Sequence, residues 1–288
     1  MQQVDVMEKL GGSLIQHGKL NDRIYLMKLA RDEAGGLVDR LGELARQREY
    51  TKVFAKVPAA CREPFDRAGY VVEASVPGLF DGSEEALFMS LFLDESRRMS
   101  GDAEHNEQVL AAALDKADQP VPEVLADESV RHRLCCADDA EDMAALYSSV
   151  FDSYPFPIDD PQFIRRTMIT HVVYFGLWAG ERLVALSSAE TDRASASVEM
   201  TDFATREEFR GRGLASALLG RMDEAMGGQM KTAYTIARAA SFGMNITFAR
   251  RGYAYGGRLI RNTQIAGRQE DMNIWHKPLA AVAAETDT

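Results

Sequence analysis

The sequence predicts an α/β (α+β) protein built on a mixed, largely antiparallel central sheet flanked by helices. Three observations carry that expectation. Ser197–Leu218 reads as a strand, a tight turn of basic residues and glycines, and then a helix. Two alternating runs, His171–Ala179 and Leu183–Asp192, are joined across Gly180-Glu181-Arg182 as an antiparallel pair is. Finally, the order strand, helix, strand, helix, Gly-Tyr, strand, strand occurs on both sides of a polar stretch, which suggests a degenerate internal duplication. These features divide the chain into an N-terminal domain at 1–99, a linker with a short helix at 100–128, a second domain at 129–277 and a disordered tail at 278–288.

In the first half, Arg23–Leu29 alternates as a half-buried strand, and Leu37, Leu41, Leu44 and Ala45 recur at helical spacing. Tyr50–Val57 is a second strand and Pro58–Ala68 a second helix, closed by Gly69. Tyr70–Ala74 and Ala86–Leu93 are strands joined through a glycine-containing turn. After the linker, Arg131–Cys136 is a strand, and Asp138 or Asp139 caps a helix that runs to Val150. A proline-rich loop leads to a short helix near Gln162–Met168. Past the strand pair come the strand Val198–Thr205, the helix Leu214–Met226, the strand Thr232–Ala237 and the helix Phe242–Arg251 with its closing Gly252. Tyr253–Arg261 and Met272–His276 finish the set as strands.

A net charge of −11 argues against a general nucleic-acid binder and suits a cationic small substrate. No apolar run approaches the roughly 20 residues of a membrane span, and the first ten residues lack the basic-then-apolar pattern of a signal peptide. Cys61, Cys135, Cys136 and the five histidines show no metal-ligand spacing, so a reducing, cytoplasmic setting without a metal is expected.

The turn Arg210-Gly211-Arg212-Gly213-Leu214-Ala215 places unpaired N–H groups at the positive end of a helix dipole, where a diphosphate binds well. Gly211 and Gly213 admit positive φ and close approach, and Arg210 and Arg212 add charge. The helix it opens is amphipathic, with Leu214, Leu218, Leu219, Met222 and Met226 on one face. About 30 residues on, Asn245–Tyr253 is a helix ending in Gly-Tyr before a strand.

This combination resembles the GNAT superfamily of acyl-CoA-dependent N-acyltransferases over about Arg131 to Lys277. The resemblance implies that the second domain is a catalytic GNAT domain, preceded by a smaller GNAT-like N-terminal half that lacks the phosphate turn. It implies acetyl-CoA as co-substrate, its diphosphate held by Phe209–Ala215, and a bulge around Phe203, Ala204 and Thr205 whose N–H groups polarise the thioester carbonyl. Asn245 matches the family's cofactor-contacting asparagine. The residue three before the closing glycine is a tyrosine in many members and is Ala249 here, so Tyr253, Tyr255 or solvent must protonate the leaving thiolate. Over about 275 residues the chain also resembles bacterial and archaeal β-lysine N-acetyltransferases, through Ile15–Gly18, Asn21–Tyr25, Phe54–Pro58, Glu199–Thr205, Gly256–Thr263 and Asn273–Trp275. That implies acetylation of the side-chain amine of β-lysine, giving the compatible solute Nε-acetyl-β-lysine.

Such an acceptor is an ammonium that must lose a proton before it attacks, its pKa lying near 10.4. Glu199 is the first candidate for base or ammonium anchor and Asp202 the second. On a regular strand the two point to opposite faces, an outcome a bulge would change. The acceptor's carboxylate calls for Arg258, Arg261, Asn262 or Arg23. Tyr154 and Phe156 lie in the loop that shapes the acceptor pocket in GNAT enzymes, and His17 is a further basic group from the first half. The expected partner is a small-molecule amine, with no nucleic acid or membrane; a homodimer is allowed. The alternatives are a GNAT acetyltransferase for another acceptor (a polyamine, amino acid, antibiotic or protein lysine) and a non-catalytic acyl-CoA sensor. A nicotinamide dehydrogenase is disfavoured, because the glycines follow the fourth strand of an antiparallel-rich sheet.

Overall fold

The computed structural model describes residues 5–121, 130–151, 154–265 and 267–279. All but the first two residues of the expected tail, and the last part of the expected linker, lie outside the described residues. The first half runs β1 (Val6–Leu10), β2 (Ser13–Gly18), β3 (Arg23–Lys28), α1 (Ala34–Gln47), β4 (Lys52–Pro58), α2 (Arg62–Arg67), β5 (Val71–Phe80) and β6 (Glu84–Phe92). Then come α3 (Ala103–Asp115), β7 (Val130–Leu134), α4 (Ala140–Val150), α5 (Pro161–Met168), β8 (Val172–Ala179), β9 (Arg182–Asp192), β10 (Ser197–Thr205), α6 (Leu214–Met226), β11 (Thr232–Arg238), α7 (Phe242–Arg250), β12 (Ala254–Ile265) and β13 (Arg268–Pro278).

The described strands form one thirteen-stranded sheet in the order β1-β2-β3-β4-β6-β5-β12-β13-β11-β10-β9-β8-β7. Only β3–β4 and β10–β11 pair in parallel. Taken toward the centre, β1-β2-β3-β4-β6-β5 and, inside the additional edge strand β7, β8-β9-β10-β11-β13-β12 share one connectivity, with α1 matching α6 and α2 matching α7. The two halves are therefore copies of one topology joined through equivalent strands, β5 and β12.

Two strands were not legible in the sequence. β1 is an exposed edge, and β2 buries the polar Ser13, Gln16 and His17, so neither alternates. The expected linker helix is more than a spacer. In α3, Leu110 and Ala113 enter the core of the second half, and the Asn106 amide donates to Asp271 at 3.0 Å.

The seam between β5 and β12 carries one register pair, Gly257 with Ala74. A Cβ on Gly256 would lie 2.4 Å from the Ser75 carbonyl, and one on Gly257 would lie 2.4 Å from that of Glu73, so only glycines allow this approach. Beyond them β12 loses register between Leu259 and Thr263, and three buried cations of the first half take the three bulged carbonyls. Lys52 donates to Ile260 at 2.7 Å, Arg97 to Arg261 at 3.0 Å, and Arg23 to Asn262. Glu73 accepts from the Ile260 N–H at 2.7 Å and pairs with Lys52 at 2.8 Å. Burial lowers the Lys52 amine to about 8 despite that partner.

Laid flat, the seven strand steps from β3 to β10 would span roughly 34 Å. Yet β3 and β10 line the same cavity, so the sheet curls back on itself. Tyr25, Phe54 and Phe88 of the first half join Tyr234, Leu259 and Ile274 of the second in one buried cluster, with Phe88 and Tyr234 rings 6.1 Å apart.

Candidate active site

Strands β10 and β11 pair only from Ser197 with Thr232 to Glu199 with Tyr234. From there β10 continues with β9 while β11 continues with β13, leaving a wedge in which the strand edges are unpaired. The turn after β10 has Gly211 at φ +75° and Gly213 at φ +79°, and Gly211 has open space where a side chain would stand. Gly213 occupies the N-cap of α6 without a side-chain cap, so the first-turn N–H groups of Leu214 and Ala215 face outward. Arg210 and Arg212 are exposed beside them, Arg212 resting 4.8 Å from the Phe209 ring centre. These residues fit a diphosphate. The matching turn of the first half does not, because the N-cap position of α1 is the acidic Glu33, whose carboxylate turns away to the Gly12 N–H at 3.0 Å and Arg40 at 2.7 Å.

At the closed end of the wedge lies a cavity of about 440 Å³. Its acidic wall is arranged by a bulge in β10. Thr201 pairs with Ser188 and Ala204 with Leu186, so Asp202 and Phe203 together face Ser187, with Asp202 at φ +54°. The expected bulge around Phe203, Ala204 and Thr205 thus starts one residue earlier, and Ala204 and Thr205 are back in register. The extra residue reverses the alternation. Val198, Met200 and then Phe203 pack toward α6, while Glu199, Thr201 and Asp202 all line the cavity. Regular alternation would have sent Asp202 into the α6 core.

Glu199 accepts from the Tyr234 hydroxyl at 2.9 Å, and that oxygen accepts from Lys56 at 3.2 Å. Asp202 accepts from the Tyr154 hydroxyl and from Ser188, each at 2.5 Å. Glu190, directly opposite Glu199 on β9, completes an acidic trio and makes no side-chain hydrogen bond among the described residues. Burial raises the pKa of all three carboxyls; the neighbouring charges of Asp202 and Glu199 push Glu190 further, while Lys56 and the Tyr234 hydroxyl hold Glu199 back. A carboxylate shifted upward in this way is suited to take a proton from an ammonium near neutral pH. Glu190, Lys56 and Tyr234 had no signal in the sequence, since what selects them is the strand register.

The opposite wall comes from the first half: Gln16, Arg23, Tyr25, Met27 and Phe54. Tyr154 and Phe156 close the cavity, tied to β2 by the Gln16 amide, which donates to the Pro155 carbonyl at 3.4 Å. Asn262 reaches the same cavity from the β12 bulge. His17 stays out of it, bonding Tyr50 and Glu8 at 2.9 Å each.

Three expected site residues are used elsewhere. Asn245 is fully buried; its amide donates to the carbonyls of Arg238 and Ser241 and accepts from Asn273 and the Trp275 indole, leaving nothing for a cofactor. Tyr253 donates to Asp223 at 2.7 Å inside the core between α6 and α7, away from the carboxylates. Arg258 binds Asn273, Glu107 and the Asn106 carbonyl, fastening α3 to the sheet instead of facing the acceptor cavity. Ala249 is likewise core.

The acetyltransferase (GNAT) family model matches residues 143–253, which contain the wedge, the turn and the three carboxylates. The β-lysine N(6)-acetyltransferase of Methanococcus maripaludis is 41% identical over 275 residues, covering 94% of this chain and 99% of that protein. The chain belongs to the GNAT family of acetyltransferases. The N-acetyltransferase YodP of Bacillus subtilis is 31% identical over 93% of this chain and 96% of its own length. A second β-lysine N(6)-acetyltransferase, from Methanosarcina mazei, is 37% identical over 142 residues, 49% of this chain and 52% of that one. As a GNAT member the protein is an N-acetyltransferase; the family match lies in the second half, and the first half repeats that half's strand order without the phosphate turn.

Proposed function

We propose that the protein transfers the acetyl group of acetyl-CoA to the side-chain amine of β-lysine, forming Nε-acetyl-β-lysine as a compatible solute in the cytoplasm. The observation that carries this reading is the cavity itself. Three carboxylates, Asp202 buried and Glu190 and Glu199 half-buried, stand at the end of the β10–β11 wedge, in a chain 41% identical to a protein named for β-lysine N(6)-acetylation. A diamino acid brings two ammonium groups, and an acidic trio is the complement for them.

Acetyl-CoA, when bound, supplies an acyl group activated as a thioester. The N–H groups of the Gly211–Ala215 turn, with Arg210 and Arg212, would hold its diphosphate, and the free edge of β10 would hold the arm that reaches inward. Glu199 takes the proton from the acceptor's side-chain ammonium, directly or through water, and Tyr234 fixes the carboxylate's orientation. Glu190 and Asp202 bind the second ammonium, with Asp202 held by Tyr154 and Ser188. Since Tyr253 and Ala249 are packed in the core and Tyr255 packs against it beside Trp275, the proton needed on the thiolate side comes from solvent.

The test is release of free CoA thiol with β-lysine, α-lysine, spermidine and a lysine-containing peptide at equal concentration, with mass spectrometry to locate the acetyl group. Preference for β-lysine with acetylation on its side-chain amine is expected. Preference for any other amine overturns the substrate while leaving the chemistry in place.

A further inference from the structure

One group in the cavity is not used by the chemistry above. Arg23, on β3 of the first half, is 4% exposed. Its Nη1 donates to the Asn262 carbonyl and, at 3.4 Å, to the Thr263 hydroxyl. Its Nε is buried with no acceptor, and Nη2 makes no hydrogen bond among the described residues. No carboxylate among them comes within ion-pairing distance of this guanidinium; Asp5, the acid whose field it feels, is instead bonded to Asn21 at 2.6 Å. Burial lowers Arg23 to about 10, so it is still charged at neutral pH. The ring centres of Tyr25 and Phe54 each lie 5.6 Å from its central carbon, within reach of a cation–π contact.

Asn262, whose backbone carbonyl Arg23 grips, is buried at 1% exposure and lines the same cavity; its side-chain oxygen has no partner and, as an acceptor, suits an ammonium of the substrate and not its acid. A buried guanidinium in the cavity wall, with an Nε–H that has no acceptor and no carboxylate in ion-pairing reach, constitutes a built anion site. The free atoms also have the right shape. With Nη1 committed to the backbone, Nε–H and the Nη2–H on its side form the side-on fork that accepts both oxygens of a carboxylate.

We propose that Arg23 binds the carboxylate of the acceptor amino acid, so that the first half of the chain selects amino acids over simple diamines. This rests on the acceptor reading above and deepens it. The cavity is then bipolar. One wall, from the second half, offers carboxylates to the ammonium groups; the other, from the first half, offers a guanidinium to the acid. A substrate that lacks the acid leaves Arg23 buried without a counter-ion, which is a penalty against polyamines and not merely a missing attraction.

The experiment compares kcat/KM for two matched pairs, β-lysine against 1,4-diaminopentane and α-lysine against cadaverine, in the full chain and in Arg23→Gln. The wild type is expected to prefer the carboxylated member of each pair, and Arg23→Gln is expected to cut that ratio by roughly 10- to 100-fold, the range for a lost charge-assisted contact. Asn262→Asp provides a second test if the first variant folds poorly. Its carboxylate pairs with Arg23 from inside the protein, so the ratio should fall there too. A wild type that prefers the diamines, or variants in which both members of a pair lose activity in parallel, overturns the assignment. Failure of the acceptor reading looks different: α-lysine would outrun β-lysine while the dependence of each ratio on Arg23 persists.

Discussion

Glu190→Gln should make the unliganded protein more stable and a worse enzyme, and the stabilisation should depend on pH. Glu190 and Glu199 are direct cross-strand partners, and Asp202 shares their cavity. At a separation of about 5 Å and an effective dielectric near 20, two ionised carboxylates repel by about 3 kcal/mol. Lys56 offsets part of this, which leaves roughly 1–3 kcal/mol to be relieved by the neutral amide. The sign follows from the upward shifts. These carboxyls are protonated in the folded protein to a higher pH than in the unfolded chain. Their contribution is therefore fully present below the ordinary carboxylate pKa and is lost as pH rises through the raised folded values. Wild type should lose stability from pH 5 toward pH 8, and Glu190→Gln should lose less. Thermal unfolding without ligand should show the variant roughly 2 to 5 °C above wild type at pH 8, and close to it at pH 5. The same variant should bind a diamino acid more weakly. An equal shift at both pH values, or a lower midpoint at pH 8, would refute the argument that like charges are stored in this cavity.

Two further predictions concern the cofactor side. Gly213→Asp puts a negative charge at the N-cap of α6, where the backbone has φ +79°; acetyl-CoA affinity measured by calorimetry should fall at least about 100-fold, and an unchanged affinity would move the diphosphate elsewhere. Asn245→Ala should cost about 2–4 kcal/mol in urea unfolding, because it strands buried donors on Asn273 and Trp275. A stable variant with weakened acetyl-CoA binding would show instead that the amide serves the cofactor.

The parts of this protein that could be read from the chain are those governed by local physics. The α6 turn is announced by glycines, arginines and an amphipathic helix within about 20 consecutive residues, and the duplicated order by strand and helix periodicities. Asp202 shows where that ends. Its residue type drew attention, but its direction depends on one extra residue in β10 relative to β9. Glu190 reaches the cavity because of cross-strand register, and Asn245 is consumed by side chains 28 and 30 residues further on. Arg258 was expected beside the substrate and is held by Glu107, 151 positions earlier. Register, bulges and distant partners are set by the assembled sheet, so no window of sequence contains them.

The carbonyl grips across the seam have a consequence for how this enzyme diversifies. In the proposed reading the turn of the first half, with Glu33 bound to Gly12 and Arg40, takes no part in holding the acyl donor, and strands β2 to β4 shape the acceptor wall. The proposed donor apparatus lies in β10 and α6 of the second half. Variation in one lineage of residues therefore retunes which amine is admitted, while variation in the other retunes which acyl group is delivered. Two inheritances that most single-domain enzymes must negotiate on the same few residues are here assigned to separate stretches of one gene.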